Sequence, residues 1–367
     1  MEDNFKKYNS IENHYQEGFI NKIREASAGL NISWFVTEKI HGCNAQISYD
    51  GKEVKYGKRT SYIENENFYN IKEVLGQYKD KLIMYYNHLA TLGLELDKVI
   101  FFGELFGGSY PHPDVPRNKK CSPIQKGVYY TPNHEFKLFD ICITFKDGEY
   151  KYLSGYDFIK ICEIFGLPHV PVLDANIDLE KALAFKNDGE SKVYSEYGLP
   201  QIQDNIMEGI VIRGWDTDLW LPNKQTEGLL QSGVVLSKGS RAIIKSKNDR
   251  FKEVSHKKKK VVEHKDVPEH IQNILNDLNL YVTPQRVENV ISHFGEISLS
   301  QFGEILKAVN LDVLEDFEKD SNVLNTLEKN ELNFVRKQLS AQVAKVAKPV
   351  IYSKVWVTVH VTILGGF

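Results

Sequence analysis

The spacing of apolar residues changes once along the chain, and this change divides the sequence into two regions. Up to residue 251, short runs with the alternation typical of β-strands occur between longer runs with helical spacing. From Pro268 to about residue 346, every segment has helical spacing. The pattern predicts a mixed α and β domain over 1–251, a basic linker over 252–265 and an all-α domain over 266–350.

The first region has clear signals for individual elements. Ser154 and Gly166 suit the two ends of a helix, and Asp50-Gly51 is a hairpin signal between two strands. The stretch 107–134 is rich in Pro, Gly and Asn and is predicted to be a long loop, a kind of segment that is often functional. The predicted strands are 34–39, 45–49, 54–58, 99–104, 136–144, 209–213 and 242–247, and the predicted helices are 11–28, 71–92 and 156–165.

The composition favours a globular protein without a membrane segment. Hydrophobic residues make up 42% of the chain, and no apolar stretch reaches the roughly 18–20 residues that span a bilayer. The beginning of the chain lacks the features of a secretory signal. Four scattered cysteines favour a reduced, cytoplasm-like compartment and no zinc site. The uncharged, β-branched end of the chain, within 351–367, is interpreted as an atypical tail, non-native or poorly conforming.

The net charge of −3 argues weakly against nucleic-acid binding, but the basic residues are not evenly distributed. Nine lysines and arginines lie between Lys245 and Lys265, and residues 257–260 are all lysine. Such a cluster is typical of a polyanion-binding segment, but on this feature alone a solvated flexible linker is the favoured interpretation.

Five short segments place charged or polar residues on predicted strands, where apolar residues are normal. A lysine followed by a glycine three residues later, as in Lys39 and Gly42, is by itself a chance-level pattern that also fits a surface lysine before a turn. The five segments together, in this order, are a strong signal. They are residues 38–44, 57–60, 102–105, 208–213 and 243–247.

The residue types suit nucleotide chemistry. A lysine attacks phosphorus only in its neutral form, which partial desolvation and cationic neighbours favour. Strand alternation puts Lys245 and Lys247 on one face, where they could also stabilise charge on a phosphate. A solvated edge strand is the alternative, and the flanking Ile243 and Ile244 favour burial.

These segments resemble the motifs of the covalent nucleotidyltransferase superfamily, which includes ATP-dependent ligases and capping enzymes. The K-x-x-G motif is met by Lys39-Ile40-His41-Gly42, and its histidine is similar to that of the RNA ligase 2 family of double-stranded RNA ligases. Residues 5–15 and 281–297 also resemble the phage enzymes of this family, so the resemblance covers about residues 3–350. It implies an α+β fold: an adenylyltransferase (ATP-grasp-like ligase) core of antiparallel sheets with flanking helices, followed by a small all-α C-terminal domain.

The resemblance also implies a role for each matching residue. Lys39 is the nucleophile that becomes lysyl-AMP, His41 acts in the later steps, and Glu208 is linked to the catalytic metal. The expected contacts of ATP are Glu38 and Ile40 with adenine, Phe139 stacked on it, Glu104 with the ribose, and Asn44, Arg59, Lys245 and Lys247 with phosphate. The expected RNA contacts are Asn44, Arg59, Arg213 and Arg286. The phage enzymes carry lysine where Arg213 stands; the charge is kept, but the planar guanidinium is a fork rather than a point charge.

The implied activity is ATP-dependent sealing of 3′-hydroxyl and 5′-phosphate ends at nicks in duplex RNA, with Mg²⁺ or Mn²⁺. It proceeds through lysyl-AMP and RNA-adenylate intermediates. The expected setting is RNA repair by a monomer in the cytoplasm, that of the host if a phage encodes it, without membrane contact. A single-stranded RNA ligase of the same superfamily and a non-catalytic RNA-binding protein remain alternatives. DNA ligases and capping enzymes usually carry a β-rich barrel where this chain has helical spacing.

Overall fold

The computed structural model describes residues 5–64, 67–222, 239–252, 267–321 and 323–364. It divides into two compact units, Met1–Asn248 and Asp249–Phe367, which are described separately below. The predicted basic linker lies outside the described residues except for Lys252. No helix among the described residues is long and apolar enough to cross a membrane.

The first sheet of the N-terminal unit has five strands, and their order is β1-β12-β9-β2-β8. All neighbours are antiparallel except β1 and β12, which are parallel. One face of this sheet packs against two helices, α1 (Glu17–Ser27) and α5 (Leu179–Leu183). The strands are β1 (Glu12–Asn13), β2 (Trp34–Lys39), β8 (Val172–Ile177), β9 (Gly209–Gly214) and β12 (Ile244–Lys247).

The second sheet is wholly antiparallel, with the order β4-β3-β5-β6-β7. One of its faces buries a core against α2 (Ile71–Gly76), α3 (Lys79–Thr91) and α4 (Gly155–Phe165). Its strands are β3 (Cys43–Tyr49), β4 (Val54–Lys58), β5 (Leu96–Ser109), β6 (Thr131–Phe145) and β7 (Tyr150–Tyr152). A separate two-stranded ribbon pairs β10 (Trp220–Pro222) with β11 (Gly239–Arg241).

Several predicted boundaries differ from those observed. The predicted helix over 11–28 begins only at Glu17, because Glu12 and Asn13 pair with β12. The predicted helix over 71–92 is interrupted at Gln77 and Tyr78 between α2 and α3. The predicted loop over 107–134 is limited to residues 110–130, because β5 and β6 continue to pair beyond the predicted ends. The caps predicted for α4 are present: the Ser154 hydroxyl accepts the Asp157 amide, and Gly166 is left-handed.

A buried network of charged groups joins both sheets and the ribbon. Asp140 of β6 lies 2.9 Å from Arg213 of β9 and 2.7 Å from Arg241 of β11. Arg241 also pairs with Asp218, and its guanidinium carbon lies 3.8 Å from the centre of the Tyr152 ring. The side chains of Asp140 and Arg241 are completely buried, so each charge depends on its partners for the solvation it has lost.

The C-terminal unit consists of helices packed around one apolar core. Thr283 caps α7 by accepting the Arg286 amide, and Pro284 occupies the first helical turn, as the sequence predicts. The last helix begins at Lys329 and continues to Leu364, beyond the predicted end at about residue 346. It therefore includes most of the segment interpreted as an atypical tail. The helices are α6 (Glu269–Tyr281), α7 (Pro284–Ser292), α8 (Phe302–Asp320) and α9 (Lys329–Leu364).

The buried network yields a prediction about stability. Substitution Arg241→Met leaves Asp218 and one oxygen of Asp140 without their buried counter-charge. We therefore expect the free energy of unfolding, measured by urea denaturation, to fall by about 3–5 kcal/mol. The control is Arg24→Met, which removes the exposed Arg24–Glu180 pair and should have little effect. Equal losses in the two variants would contradict the prediction.

Candidate active site

The candidate active site lies where the chain passes from the first sheet to the second. The turn from Lys39 to Gly42 connects β2 with β3, and Gly42 lies directly against the backbone of β5. A Cβ atom on Gly42 would lie 2.2 Å from the carbonyl oxygen of Leu105, closer than any side chain allows. The Gly42 amide donates a hydrogen bond to Glu104 of β5 (3.1 Å). The glycine of the motif is therefore required by close packing of the turn on the second sheet.

Two of the predicted lysines lie in one row across the first sheet. In the strand register, Lys39 of β2 is opposite Gly209 of β9, and Gly209 is opposite Lys247 of β12. The middle position of the row therefore has no side chain. Lys245 lies two residues before Lys247 on the same strand and thus on the same face. Ile243 and Ile244 beside it are buried, as predicted.

The carboxylate of Glu208 contacts two lysines and a histidine of the site. One oxygen lies 2.7 Å from Lys39 Nζ and 3.3 Å from His41 Nδ1, and the other lies 3.3 Å from Lys247 Nζ. Burial acts to raise the pKa of Glu208, but Lys39, Lys247 and His41 outweigh it and hold this pKa well below its usual range. Glu208 is therefore a permanent anion that orients the surrounding groups.

His41 is held by contacts on two sides. It is 4% exposed, its amide donates to the hydroxyl of Tyr130 (2.9 Å), and its ring faces Glu208. The structure thus brings together Lys39, His41, Glu208 and Lys247, which sequence reasoning selected from three distant segments.

Glu104, Asn44 and Arg59 lie next to this cluster. Asn44 of β3 is directly opposite Glu104 of β5 in the second sheet. Burial raises the pKa of Glu104 to about 7, and repulsion from Glu208 adds to this effect, while Lys39 and Arg59 oppose it. Arg59 is exposed just beyond the end of β4, where its side chain has room to contact a phosphate.

The two residues expected to line the adenine site on either side of Lys39 are buried. Ile40 is 3% exposed and Glu38 is 2% exposed. The Glu38 amide donates to the carbonyl of Pro171 (2.9 Å). Burial raises the pKa of the Glu38 carboxyl to about 7, while a hydrogen bond with Ser191 opposes the shift. One buried carboxyl oxygen of Glu38 lacks a hydrogen-bond partner within the described part of the chain.

Phe139 is partly exposed next to the residues of the buried charge network. Its ring packs edge-on against Tyr8, with 4.9 Å between the ring centres. Tyr8 in turn donates a hydrogen bond to Asp140 (2.8 Å). Stacking of the Phe139 ring on adenine therefore stays a prediction.

Two predicted RNA contacts are corrected by the structure. Arg213 is 5% exposed, pairs with Asp140 and lies between the rings of Phe35 and Phe158. Arg286 is completely buried in the C-terminal unit, where Asp312 and Asp316 surround its guanidinium. Each guanidinium is itself buried and paired with carboxylates of its own unit, so neither presents its charge to RNA.

Sequence reasoning missed three polar residues that contact the site. Tyr130 binds the His41 amide, and the side-chain amide of Gln125 donates to the Gly42 carbonyl (3.4 Å). Lys137 of β6 lies opposite Glu104 in the register and binds the carbonyl of His169 (3.2 Å). Only Lys137 had a sequence signal, a lysine between the apolar residues Phe136 and Leu138 of a predicted strand.

The carboxylates suit a divalent cation that also binds a nucleotide. Within the described ranges, no group of three or more His, Cys, Asp or Glu residues could hold a metal ion. Mg²⁺ is commonly bound by one or two carboxylates together with phosphate oxygens and water. Glu208 and the adjacent Glu104 fit this requirement, because their mutual repulsion decreases when a cation is present.

Glu104 yields a prediction about pH. Its folded pKa of about 7 exceeds the ordinary 4.5, so the folded state binds the extra proton and loses stability as pH rises between these values. Glu104→Gln keeps a neutral side chain. Between pH 4 and pH 8, wild type should therefore lose about 3 kcal/mol of unfolding free energy that the variant keeps. Urea denaturation at both pH values measures this difference. The control is Glu25→Gln, on the exposed face of α1. A constant difference between Glu104→Gln and wild type would contradict the prediction.

Two family models match the chain. The RNA ligase model matches residues 32–223, more than half of the chain, and the model of the T4 RNA ligase 2 C-terminal region matches residues 264–345. The first match contains Lys39, Glu104 and Glu208, and the second contains most of the helical unit.

Curated relatives come from Trypanosoma brucei brucei. The mitochondrial RNA-editing ligase 2 is 31% identical over 178 residues, which are 43% of this chain and 41% of the relative. The mitochondrial RNA-editing ligase 1 is 26% identical over 355 residues, covering 80% of this chain and 72% of the relative. The chain therefore spans less than half of the first relative.

Solved structures of Naegleria gruberi RNA ligase mutants are also similar. One without ligand is 16% identical with a TM-score of 0.38, covering 59% of this chain and 54% of that one. Another, with AMP and Mn, is 18% identical with a TM-score of 0.40, covering 59% and 55%. The extent of the first family match shows that the chain belongs to the RNA ligase family, in the RNA ligase 2 group whose C-terminal region it also carries.

Proposed function

We propose that this protein is an ATP-dependent RNA ligase that forms lysyl-AMP on Lys39 and then seals nicks in duplex RNA. The observation that carries the proposal is the convergence of Lys39, His41 and Lys247 on one buried carboxylate, Glu208. A structural ion pair needs one cation, whereas nucleotidyl transfer needs a nucleophilic lysine together with further cations that bind phosphate.

The arrangement suggests what each residue contributes. Glu208 holds Lys39 in place before ATP arrives, and Lys247 and Lys245 supply positive charge on the face that the α-phosphate would approach. Asn44 and Arg59 extend this polar surface beside Glu104, which is suited to bind a ribose hydroxyl. Bound Mg²⁺ would stabilise charge on the phosphates. The chain's own groups position the reacting atoms, which accounts for much of catalysis in phosphoryl transfer.

The proposal includes RNA binding by the C-terminal unit, through α9 rather than Arg286. This helix contains six lysines and arginines but one acidic residue, Glu331. Its side toward the core carries Val335, Leu339 and Val343, which are buried. Besides Lys329 at its start, four basic residues are exposed and distribute positive charge along about 18 Å of the helix, given 1.5 Å per residue. They are Arg336, Lys337, Lys345 and Lys348.

A lysine-modified intermediate is directly testable. Incubation with α-labelled ATP and magnesium should label the protein, and Lys39→Ala should abolish the label because it removes the attacking amine. The matched control is Lys22→Ala, which removes an exposed lysine of α1 and should label like wild type. Persistence of an acid-stable adduct in Lys39→Ala would show that another residue is the nucleophile.

Substrate preference separates the proposed ligase from a single-stranded RNA ligase. We expect faster joining of a nicked RNA duplex with 3′-hydroxyl and 5′-phosphate ends than of free single strands. The expected reason is that an A-form duplex presents two backbones to the basic groups. Equal or faster joining of single strands, measured side by side at the same RNA concentration, would assign the protein to the other class.

The same assay tests α9. A variant that combines Arg336→Gln, Lys337→Gln, Lys345→Gln and Lys348→Gln should seal nicks more slowly and with weaker salt dependence. Its self-adenylation should stay near that of wild type. The matched control has Gln at Lys307 and Lys329, which lie on α8 and at the start of α9. Unchanged sealing by the four-position variant would remove α9 from the proposal.

A further inference from the structure

The loop between β5 and β6, residues 110–130, has no part in the proposed function so far. Its exposed side chains are strongly basic, with four cationic residues against a single acidic residue, Asp114. None of the four cations has an acidic partner among the residues that the structure describes. The cations are Arg117, Lys119, Lys120 and Lys126.

A backbone hydrogen bond and close packing fix the conformation of the loop next to β5. Gly107 and Gly108, at the end of β5 just before the loop, have φ angles of +95° and +85°, which favour glycine. A Cβ atom on Gly108 would lie 2.1 Å from the carbonyl oxygen of Ser122, so the loop returns closely onto the end of β5 at Ser122. The Ile124 amide donates to the Gly107 carbonyl (3.1 Å), and Ile124 is completely buried. This part of the loop is therefore anchored to β5 by a backbone hydrogen bond and a buried side chain.

The basic tip of the loop is also held. The side chain of Asn118 donates to the side chain of Asn133 on β6 (2.8 Å) and accepts the backbone amide of Lys120 (2.9 Å). These bonds fix the backbone on which Lys119 and Lys120 stand. Cys121, the next residue, is buried and anchors the tip from below. Two neighbouring lysines are thus displayed on an ordered support, which reduces the entropy lost when they bind a ligand.

The end of the loop reaches the turn that carries the nucleophile. Gln125 donates to the Gly42 carbonyl and Tyr130 accepts the His41 amide, so two loop residues bind the turn that follows Lys39. Lys126 directly follows Gln125 and is exposed. The loop therefore connects the reacting centre with a basic surface on the same unit.

We propose that this loop binds the phosphodiester backbone of the RNA strand whose end is sealed. Lys126 contacts phosphates nearest to the joined end, and Arg117, Lys119 and Lys120 contact phosphates farther along the strand. Lysine and arginine without acidic partners, on a rigid support next to the site, suit a repeating phosphate ligand. The inference rests on the proposed ligase function and adds the surface that positions the RNA. Binding of the ATP polyphosphate at Lys126 is the competing explanation, which the experiment separates.

The experiment compares full-length Lys119→Ala/Lys120→Ala and Lys126→Ala with wild type. The control is Lys22→Ala/Lys151→Ala, which removes two exposed lysines on α1 and β7. Two steps are measured: self-adenylation with labelled ATP, and transfer from purified enzyme-adenylate to subsaturating nicked duplex RNA. Binding to the same RNA without ATP is measured over a series of salt concentrations.

For the double loop variant we expect self-adenylation like that of the control and transfer that is about tenfold slower. The slope of log binding constant against log salt should become shallower by about two, one for each lost phosphate contact. Lys126→Ala should slow transfer and reduce this slope by about one. Transfer and salt slope equal to those of the control would overturn the proposal. Slower self-adenylation of Lys126→Ala with unchanged transfer would also overturn it and assign Lys126 to ATP.

A failure of the proposed ligase function would be distinguishable from a failure of the loop proposal. A wild-type protein that takes no label and seals no RNA is not a ligase, whatever the loop variants do. The salt slopes for RNA binding still test the loop in that case, since they require no chemistry. A wild-type protein that seals nicks, with loop variants that seal equally well, would leave the ligase intact and remove only the loop from RNA binding.

Discussion

The buried carboxylate of Glu208 is the interaction on which the site depends. It is contacted by two lysines and a histidine from three parts of the chain: the end of β2, the turn after it and the end of β12. A carboxylate that has lost its water is stable as an anion only if opposite charges replace the lost solvation. Burial and charge therefore oppose each other at Glu208, and the cations outweigh burial. As a result, Lys39 and Lys247 are positioned before a substrate binds, which lowers the cost of reorganisation during reaction.

A second buried carboxylate, Asp140, has the same role for the fold. It connects β6, β9 and the ribbon strand β11 through Arg213 and Arg241, and it follows Phe139 directly in the chain. Burial alone would raise the pKa of Asp140, but the two arginines hold this pKa below its ordinary value. Because Phe139 and Tyr8 pack beside the network, the proposed adenine pocket and the joint between the sheets share one set of interactions.

Much of the site could be predicted because its residues interrupt apolar patterns on strands. Lys39, Glu104, Glu208 and Lys247 were selected this way, and the structure brings them together. The RNA contact that the resemblance implied for Arg213 does not fit the burial of this residue. Its partner Asp140 is distant in sequence, and local pattern cannot reveal a buried ion pair. Helix spacing likewise predicted the C-terminal helices but not the burial of Arg286. The strand at Glu12 and Asn13 was missed because it depends on pairing with β12, more than 200 residues away.

The row of Lys39, Gly209 and Lys247 explains why a glycine follows the buried glutamate. Neighbouring side chains on adjacent strands lie about 5 Å apart, so a side chain at position 209 would stand between the two lysines. A Cβ atom there would also lie 2.1 Å from the carbonyl oxygen of Ser246, so even alanine requires the strands to separate. Glu208 comes directly before this gap, and its carboxylate contacts both lysines. Glu208 and Gly209 thus act as one geometric unit: the glutamate supplies the charge, and the glycine leaves the space in which two cations approach it.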